Sequence, residues 1–351
     1  MILLTPDSTP ISTPASSRRT TQEFTGNPNV RSGYHAGMDT QPNSHLEDLV
    51  NELNLTAEFD APIGPLTYYQ VGGNADVMVD PDSVEQLAEL VRRCHQQSIP
   101  VHILGRGANL LVADSGVRGV VVRLKSPFFR RIEISRQTGT AIAGGGTDLA
   151  RLIMSCARQG VAGLECLAGI PATVGGALRM NAGGKYGDIA KTVHSVTCMD
   201  GSGRIETLYP DDLSFSYRDS NLADRFVLEA RFALEEDDPA EVRARVKDIF
   251  NYKTNTQPLA ARTAGCTFKN PSKEQPAGML IDQAGLKGTR IGGAEISTHH
   301  ANFIVAAPNG SADDVLKLIK LAQDRVKDMH GIDMHREVVV WGDLPGDTNH
   351  G

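Results

Sequence analysis

Three glycine-rich segments, each at the end of a predicted strand, constrain the fold of this chain more than any other feature of the sequence. They cover residues 105–107, 144–146 and 169–176. Glycine tolerates positive φ and lets the backbone approach a ligand closely, and backbone N–H groups at such turns can form concave sites for phosphate oxygens. One such segment is most simply an ordinary turn. Three together favour a nucleotide-like ligand, although no third glycine opens a helix as the dinucleotide-binding fingerprint requires.

Charge and cysteine content exclude several classes of protein. The 351 residues include 35 basic and 42 acidic side chains, for a net charge of −7. This balance argues against nucleic acid as a partner. The apolar runs are too short to cross a bilayer, and the N-terminus has no signal-peptide pattern, so we expect a cytoplasmic protein. Five cysteines without a CxxC pair suggest reduced thiols and no metal site.

The first half of the chain alternates between strand and helix patterns. Residues 1–44 are rich in Ser, Thr, Pro, Asn and Gly, which predicts a disordered tail. Ser83 and Gln86 form a capping-box pattern at the start of a helix. Thr147 is the expected N-cap of a second helix. Strands are predicted at 75–79, 101–104, 109–113, 118–124 and 140–143.

The second half continues the mixed pattern. Strands are predicted at 193–199, 204–208, 226–234 and 336–341. A helix begins at Asp237-Asp238-Pro239 and carries Val242, Val246, Ile249 and Phe250 on one face. Another follows Ser311 and buries apolar residues from Val315 to Met329. These patterns predict an α+β fold with mixed sheets.

Four segments of the chain resemble one enzyme family. They are Tyr69-x-Val71-Gly72-Gly73-x-Ala75-Asp76, Leu104-Gly105-Arg106-Gly107-Ala108-Asn109-Leu110-Leu111-Val112, Gly169-Ile170-Pro171-x-Thr173-Val174-Gly175-Gly176-Ala177 and Met180-Asn181-Ala182-Gly183-Gly184-Lys185-Tyr186-Gly187. In order and spacing they look like the FAD-binding motifs of the UDP-N-acetylenolpyruvoylglucosamine reductases. The resemblance covers about residues 60–341. Two positions depart from the family: Ala108 replaces a common Ser, and Lys185 replaces a common Ala.

The resemblance implies a fold and a cofactor. The fold is the FAD-binding fold of the vanillyl-alcohol oxidase superfamily, which binds FAD without a Rossmann fingerprint. The implied FAD-binding region covers 45–235 in two α+β subdomains, about 45–125 and 126–235, and a C-terminal α+β substrate domain covers 236–351. The residues implied to bind non-covalent FAD are Gly72, Gly73, Gly105, Arg106, Gly107, Ala108, Asn109, Leu110, Gly169, Ile170, Gly175, Gly176 and Ala177.

Three further motifs carry the chemistry that the resemblance implies. Ser216-Tyr217-Arg218-Asp219-Ser220 is similar to the motif whose Arg meets the enolpyruvyl carboxylate, and Met334-His335-Arg336-Glu337-Val338 to the one whose Glu works with that Arg. Ala264-Gly265-Cys266-Thr267-Phe268-Lys269-Asn270-Pro271 matches the motif whose Ser donates the proton. We therefore expect Arg218 and Glu337 to stabilise an enolate and Cys266 to protonate it, with NADPH as reductant.

Cys266 is a departure, because a thiol replaces the family's hydroxyl. A thiol with an ordinary pKa near 8.5 is mostly protonated at neutral pH and is a stronger acid than an alcohol. It can therefore deliver a proton. An accessible thiol would also make the enzyme sensitive to alkylation and oxidation.

Contacts to the UDP-sugar substrate are implied by the same resemblance. The candidate residues are Tyr217, Lys253, Asn270, His300 and Asn302, with Lys253 near a position that meets the diphosphate. The segment between residues 282 and 291 is short, so the chain resembles the members of the family that lack a tyrosine-bearing insertion over the pocket. We expect a monomer whose partners are NADPH and the UDP-sugar.

Two other functions stay open from the sequence. A flavin-dependent oxidase of the same superfamily would often hold its cofactor covalently through His or Cys. The glycine-rich loops contain no His apart from His102, which sits within a predicted strand. A nucleotide-binding relative without catalysis is suggested by the change from Ser to Cys at position 266.

Overall fold

The computed structural model describes residues Val30–Arg31 and 44–343. Most of the predicted tail therefore lies outside the described residues. Within it, Val30–Arg31 form a short strand that runs parallel to residues Ala57 and Glu58.

The first lobe is a five-stranded mixed sheet packed against helices. Its strands, in sheet order, are Val30–Arg31, Thr56–Pro62, Asn74–Asp80, Val117–Val122 and Val101–Ile103. The helices are Ser44–Glu52 and Val84–Gln96. The predicted Ser83 cap is confirmed, since Ser83 Oγ accepts from the Gln86 N–H. The Gln86 side chain accepts from Asp82 N rather than completing a capping box with Ser83.

The second lobe is built on an antiparallel sheet. Its strands, in sheet order, are Ile205–Leu208, Val193–Met199, Phe226–Ala233, Thr140–Gly144 and Ile132–Ser135. Its helices are Leu149–Gln159 and Val174–Arg179. The predicted Thr147 cap is wrong: Asp148 caps the helix by accepting from Arg151 N. Thr147 Oγ1 instead donates to the Arg131 carbonyl.

A long helix follows the second lobe. Asp238 caps Pro239–Thr256 by accepting from Ala240 N, as the sequence indicated. Val242 is buried and packs with Ala157 of the second lobe. Phe250, which was placed on the buried face, is instead 49% exposed. The domain boundary at residue 236 stays a prediction, and in the structure this helix packs against the second lobe.

The C-terminal lobe combines a small antiparallel sheet with two helices. The strands are Arg290–Ile291, Ala294–Ile296 and Ile304–Ala306, and the helices are Ala277–Gln283 and Ala312–His330. Ser311 and Asp314 form a capping box at the second helix. The predicted buried face runs from Val315 to Val326, but Met329 is exposed because it lies at the last turn, beyond the core.

Short elements connect the lobes. The two-stranded pairs are Leu110–Val112 with Val339–Trp341, Gly183–Gly184 with Gly187–Asp188, Phe215–Ser216 with Asp219–Ser220, and Val161–Ala162 with Glu235–Glu236. Short 3₁₀ helices cover Gly64–Leu66, Phe128–Arg130, Glu165–Leu167 and Ile189–Thr192. The first pair is parallel, and its side chains Leu110, Val112 and Trp341 pack with residues of the first lobe's sheet, so the last described strand is attached to that lobe.

Candidate active site

A cavity of about 740 Å³ lies where the three lobes meet. All three glycine-rich segments contribute to its wall. Eleven of the residues expected to bind FAD line it, namely Gly105, Arg106, Gly107, Ala108, Asn109, Leu110, Gly169, Ile170, Gly175, Gly176 and Ala177. The cavity is within the range of small-molecule and cofactor sites.

Gly72 and Gly73 do not line this cavity. A Cβ on Gly72 would lie 2.2 Å from the Val112 carbonyl oxygen, and one on Gly73 would lie 2.6 Å from the Asp114 oxygen. Gly72 also has φ +108°, which L side chains rarely adopt. These two glycines therefore allow two backbone segments to approach each other, and their placement gives no support to a role in cofactor binding.

The loop at 105–109 is hydrogen-bonded to residues of other segments around the cavity. Arg106 donates to the Asp148 carboxylate at 3.0 Å and to the Tyr68 hydroxyl at 2.9 Å. Asn109 donates its side-chain amide to the Glu337 carbonyl oxygen at 2.9 Å. The predicted cofactor loop thus also fixes the backbone that carries the expected catalytic carboxylate.

Arg218 and Glu337 form a close ion pair on the cavity wall. Arg218 Nε donates to Glu337 Oε1 at 2.6 Å, and Nη1 donates to the Gly183 carbonyl at 3.0 Å. Arg218 has φ +57°, an unfavourable conformation for a side chain of this size. It lies at the tip of the hairpin formed by Phe215–Ser216 and Asp219–Ser220, and its guanidinium lies at the cavity wall. Of its five N–H donors, two bond described residues and three are available to a ligand carboxylate.

Burial and the partner's charge shift the pKa values of Arg218 and Glu337 in opposite directions. Burial alone would lower the pKa of the Arg218 guanidinium, but the Glu337 carboxylate raises it above its ordinary value. Burial raises the pKa of Glu337 even though Arg218 lowers it. The guanidinium therefore stays charged, and it keeps a permanent positive charge beside the cavity.

The Cys266 thiol also faces this cavity. Burial, and next the negative charge of Glu337, raise its pKa to about 12, while Arg218 and Asn302 act in the opposite direction. The thiol is therefore protonated at neutral pH, as a proton donor must be. The same burial argues against the expected ease of alkylation, because the thiolate is the reactive form.

Asn302 fixes the loop that carries Cys266 rather than lining the cavity. Its side chain accepts from Phe268 N at 2.9 Å and donates to the Phe268 carbonyl at 2.8 Å. Its backbone oxygen accepts from Thr267 N. Because the residue is buried and its amide pairs with the backbone, Asn302 is placed to position Cys266 and not to touch the substrate.

The other expected substrate residues divide into two groups. Lys253 and His300 line the cavity, whereas Asn270 and Tyr217 do not. Lys253 Nζ donates to the Ala168 carbonyl at 2.6 Å, and burial lowers its pKa to about 8. Burial also lowers the pKa of His300, whose Nδ1 accepts from Asn302 N. Asn270 Oδ1 accepts from Ala277 N and so begins a helix.

Several cavity residues were not identified from the sequence. They include Tyr68, Lys185, Tyr186, Arg225, Phe250, Tyr252 and Trp341. Phe250 and Tyr252 belong to the helix Pro239–Thr256, which also carries Lys253 and where the apolar pattern indicated a buried face. Lys185 was visible as a departure from the family motif, which was the one available signal.

Comparison with known proteins identifies the family. Residues 75–209 match the model of an FAD binding domain, and residues 257–341 match the C-terminal domain of UDP-N-acetylenolpyruvoylglucosamine reductase. The chain is 40% identical over 286 residues to UDP-N-acetylenolpyruvoylglucosamine reductase 2 of Symbiobacterium thermophilum, covering 81% of this chain and 92% of that protein. The chain belongs to the UDP-N-acetylenolpyruvoylglucosamine reductase family. A reductase from Synechococcus sp. strain RCC307 is 41% identical and aligns over 83% of this chain and 95% of its own length.

A solved structure of the reductase family has the same fold. The crystal structure of UDP-N-acetylenolpyruvylglucosamine reductase from Thermus caldophilus superposes with a TM-score of 0.69 at 35% identity, covering 82% of this chain and 99% of that one. With the match to the FAD binding domain, this confirms the predicted α+β FAD-binding fold. The chain is therefore an FAD-binding oxidoreductase of peptidoglycan-precursor synthesis.

The residues that line the cavity fit a flavin dinucleotide. The glycine-rich loops at the cavity wall carry backbone N–H groups, and Gly107 and Gly169 in them have positive φ values of +62° and +78°, as turns that form concave anion sites require. No helix in the described part of the chain is long and apolar enough to span a bilayer. Nor do residues 44–343 gather three or more His, Cys, Asp or Glu side chains in a metal-binding arrangement.

Proposed function

We propose that the protein uses NADPH to reduce the enolpyruvyl group of UDP-N-acetylglucosamine enolpyruvate, which gives UDP-N-acetylmuramate, and that it does so in the cytoplasm. One observation supports this most strongly. Arg218, Glu337 and Cys266, from three distant segments, lie on one cavity together with the two glycine-rich loops. This is the set of groups that the reaction needs.

Non-covalent FAD would be held by the loops at 105–110 and 169–177. When bound, it supplies hydride transfer from NADPH to the substrate, and the protein supplies orientation and electrostatics. The loops fix the cofactor through the backbone, so the change to Ala108 removes a hydroxyl but no backbone donor.

Arg218 and Glu337 act on the developing negative charge. Hydride addition at one alkene carbon makes the enolpyruvyl carboxylate enolate-like, and the guanidinium can stabilise that charge with its three remaining donors. Glu337 holds the guanidinium in place through the 2.6 Å contact to Nε. The backbone of Glu337 is in turn fixed by Asn109 and by Thr267, whose carbonyl accepts from Glu337 N at 2.8 Å.

Cys266 completes the reaction by protonating the neighbouring carbon. The thiol is protonated, and it lies in the same field as the pair that stabilises the enolate. Burial raises the pKa of the thiol most, and the nearby charges then adjust it: Glu337 raises the pKa further and Arg218 lowers it. The thiol then regains a proton after each turnover.

The two half-reactions test these roles separately. In anaerobic stopped-flow experiments with the holoenzyme, Cys266→Ala should be reduced by NADPH at the wild-type rate. Reoxidation by the enolpyruvyl UDP-sugar should fall by roughly 100-fold or more, because a general acid contributes about that factor. Cys266→Ser is the matched control and should retain reoxidation. Wild-type reoxidation by the Ala variant would remove Cys266 from the mechanism, and wild-type flavin that NADPH does not bleach would contradict the proposed function.

A further inference from the structure

An aromatic wall forms one side of the cavity near Lys253. Phe250, Tyr186 and Tyr252 line the cavity and are 49%, 43% and 39% exposed. Tyr186 and Tyr252 meet edge to face, with ring centroids 5.7 Å apart. Large aromatic side chains left this exposed in a concave site are typical of a surface that a ligand covers.

Lys185 is held against this wall by two rings. Its Nζ lies 4.7 Å from the centroid of the Tyr252 ring and 5.6 Å from that of Tyr186. Cation–π contacts of this length are favourable and fix the direction of an otherwise mobile side chain. Among the described residues Lys185 forms no salt bridge, so its charge is not neutralised by the protein itself.

The position of Lys185 follows from a short hairpin. The strands Gly183–Gly184 and Gly187–Asp188 pair antiparallel, and Lys185 and Tyr186 form the tip between them. At its base, the Gly183 carbonyl accepts from Arg218 Nη1 at 3.0 Å. One hairpin therefore spans the distance from the proposed enolate site to the aromatic wall.

Lys253, another cation of the cavity wall, is poorly suited to bind two phosphates alone. Lys253 is buried, its Nζ already donates to the Ala168 carbonyl, and its pKa is lowered to about 8. A diphosphate carries at least two negative charges. A second, solvent-accessible ammonium on the same wall would complete the charge balance.

We propose that Lys185, presented by Tyr252 and Tyr186, is the second cation that binds the diphosphate of a nucleoside diphosphate ligand. This inference rests on the proposed function, because both the UDP-sugar and NADPH carry such a diphosphate. The rings hold the ammonium at the cavity wall, and Lys253 meets the other phosphate from the helix side. Lys185 determines affinity and takes no part in the chemical step.

Binding of UDP to the oxidised holoenzyme tests the proposal directly. By isothermal titration calorimetry, Lys185→Met should bind UDP roughly 10-fold more weakly than wild type, as expected for one partly exposed charge-assisted contact. Lys185→Arg should remain within about threefold, because it keeps the charge and the stacking on the rings. Uridine, which lacks phosphates, should bind both variants equally. Lys247→Met is the matched control, since Lys247 is exposed on the same helix as Tyr252 but does not line the cavity.

Steady-state kinetics identify which ligand carries the diphosphate. A rise in KM for the UDP-sugar alone assigns Lys185 to the substrate, and a rise for NADPH alone assigns it to the reductant. A rise for both supports a shared site. UDP affinity equal to that of wild type in Lys185→Met would overturn the role of Lys185 while leaving the proposed function intact. Wild-type protein that binds no UDP would overturn both.

Discussion

The Cys266 thiol should be unusually slow to alkylate, and the size of the effect follows from its pKa. With a pKa of about 12, roughly 3 × 10⁻⁵ of the thiol is ionised at pH 7.5, against about 0.1 for an ordinary cysteine of pKa 8.5. The thiolate fraction thus falls about 3,000-fold. A more basic thiolate is also a better nucleophile, which recovers a factor of roughly 40. Alkylation should therefore be on the order of 100-fold slower than for a free cysteine.

The assay must separate a raised pKa from simple shielding. Holoenzyme is treated with iodoacetamide between pH 6 and pH 10, and modification of the Cys266 peptide is followed by mass spectrometry. A raised pKa predicts a rate that increases tenfold per pH unit without reaching a plateau. A shielded thiol of ordinary pKa would be slow but would level off above about pH 9.

Two variants control this experiment. Glu337→Gln removes a negative charge that disfavours the thiolate, so the pKa of Cys266 should fall and alkylation should accelerate. Cys266→Ser identifies the modified peptide, because its signal must disappear. Alkylation of the wild-type protein at the free-cysteine rate, with a midpoint near pH 8.5, would refute the raised pKa of the thiol beside Glu337.

Two further predictions concern Lys253 and Gly72. Burial lowers the pKa of Lys253 to about 8, so its ammonium is charged below that pH. In calorimetric titrations, the affinity for UDP should therefore weaken as the pH rises from 7 to 9. Lys253→Arg should lose this pH dependence, because its guanidinium stays charged over that range. An unchanged pH profile in that variant would exclude Lys253 as the titrating group. Gly72→Ala should destabilise the holoenzyme by about 2 kcal/mol or more in urea unfolding, since the new Cβ would lie 2.2 Å from the Val112 oxygen at φ +108°. Gly201→Ala, where a Cβ meets nothing within 4 Å, is the control, and equal stability of the two variants would contradict this packing.

Local sequence patterns predicted the starts of helices correctly where a capping side chain alone determines them. Ser83 and Ser311 each cap the helix that follows, as predicted, because a side-chain oxygen just before a helix accepts a hydrogen bond from an N–H of its first turn. Thr147 failed because Asp148, one residue later, is an equally good cap. Thr147 instead donates to the Arg131 carbonyl, 16 residues earlier in the chain, and no local pattern reveals that partner.

The roles of individual site residues were harder to predict for the same reason. A glycine in a motif indicates close approach, but the sequence does not show whether a ligand or another backbone segment approaches it. Gly105 faces the cavity, whereas Gly72 faces Val112. Asn302 lies in a segment that resembles the family's substrate pocket. Its side-chain amide is nevertheless hydrogen-bonded to the backbone of Phe268, 34 residues earlier in the chain. These outcomes depend on tertiary contacts that motif spacing does not encode.

The pairing of the last strand explains how residues so far apart in sequence can act together. Val339–Trp341 runs parallel to Leu110–Val112, and Val339 N donates to the Asn109 carbonyl at 3.0 Å. Glu337 lies two residues before that strand, so its position relative to the cofactor loop is set by main-chain hydrogen bonds. Backbone pairing is more rigid than contact between long side chains, because each ladder bond fixes both partners. The carboxylate that orients Arg218 is therefore held in register with the loop expected to hold the flavin, and the substrate need only align with one preformed edge.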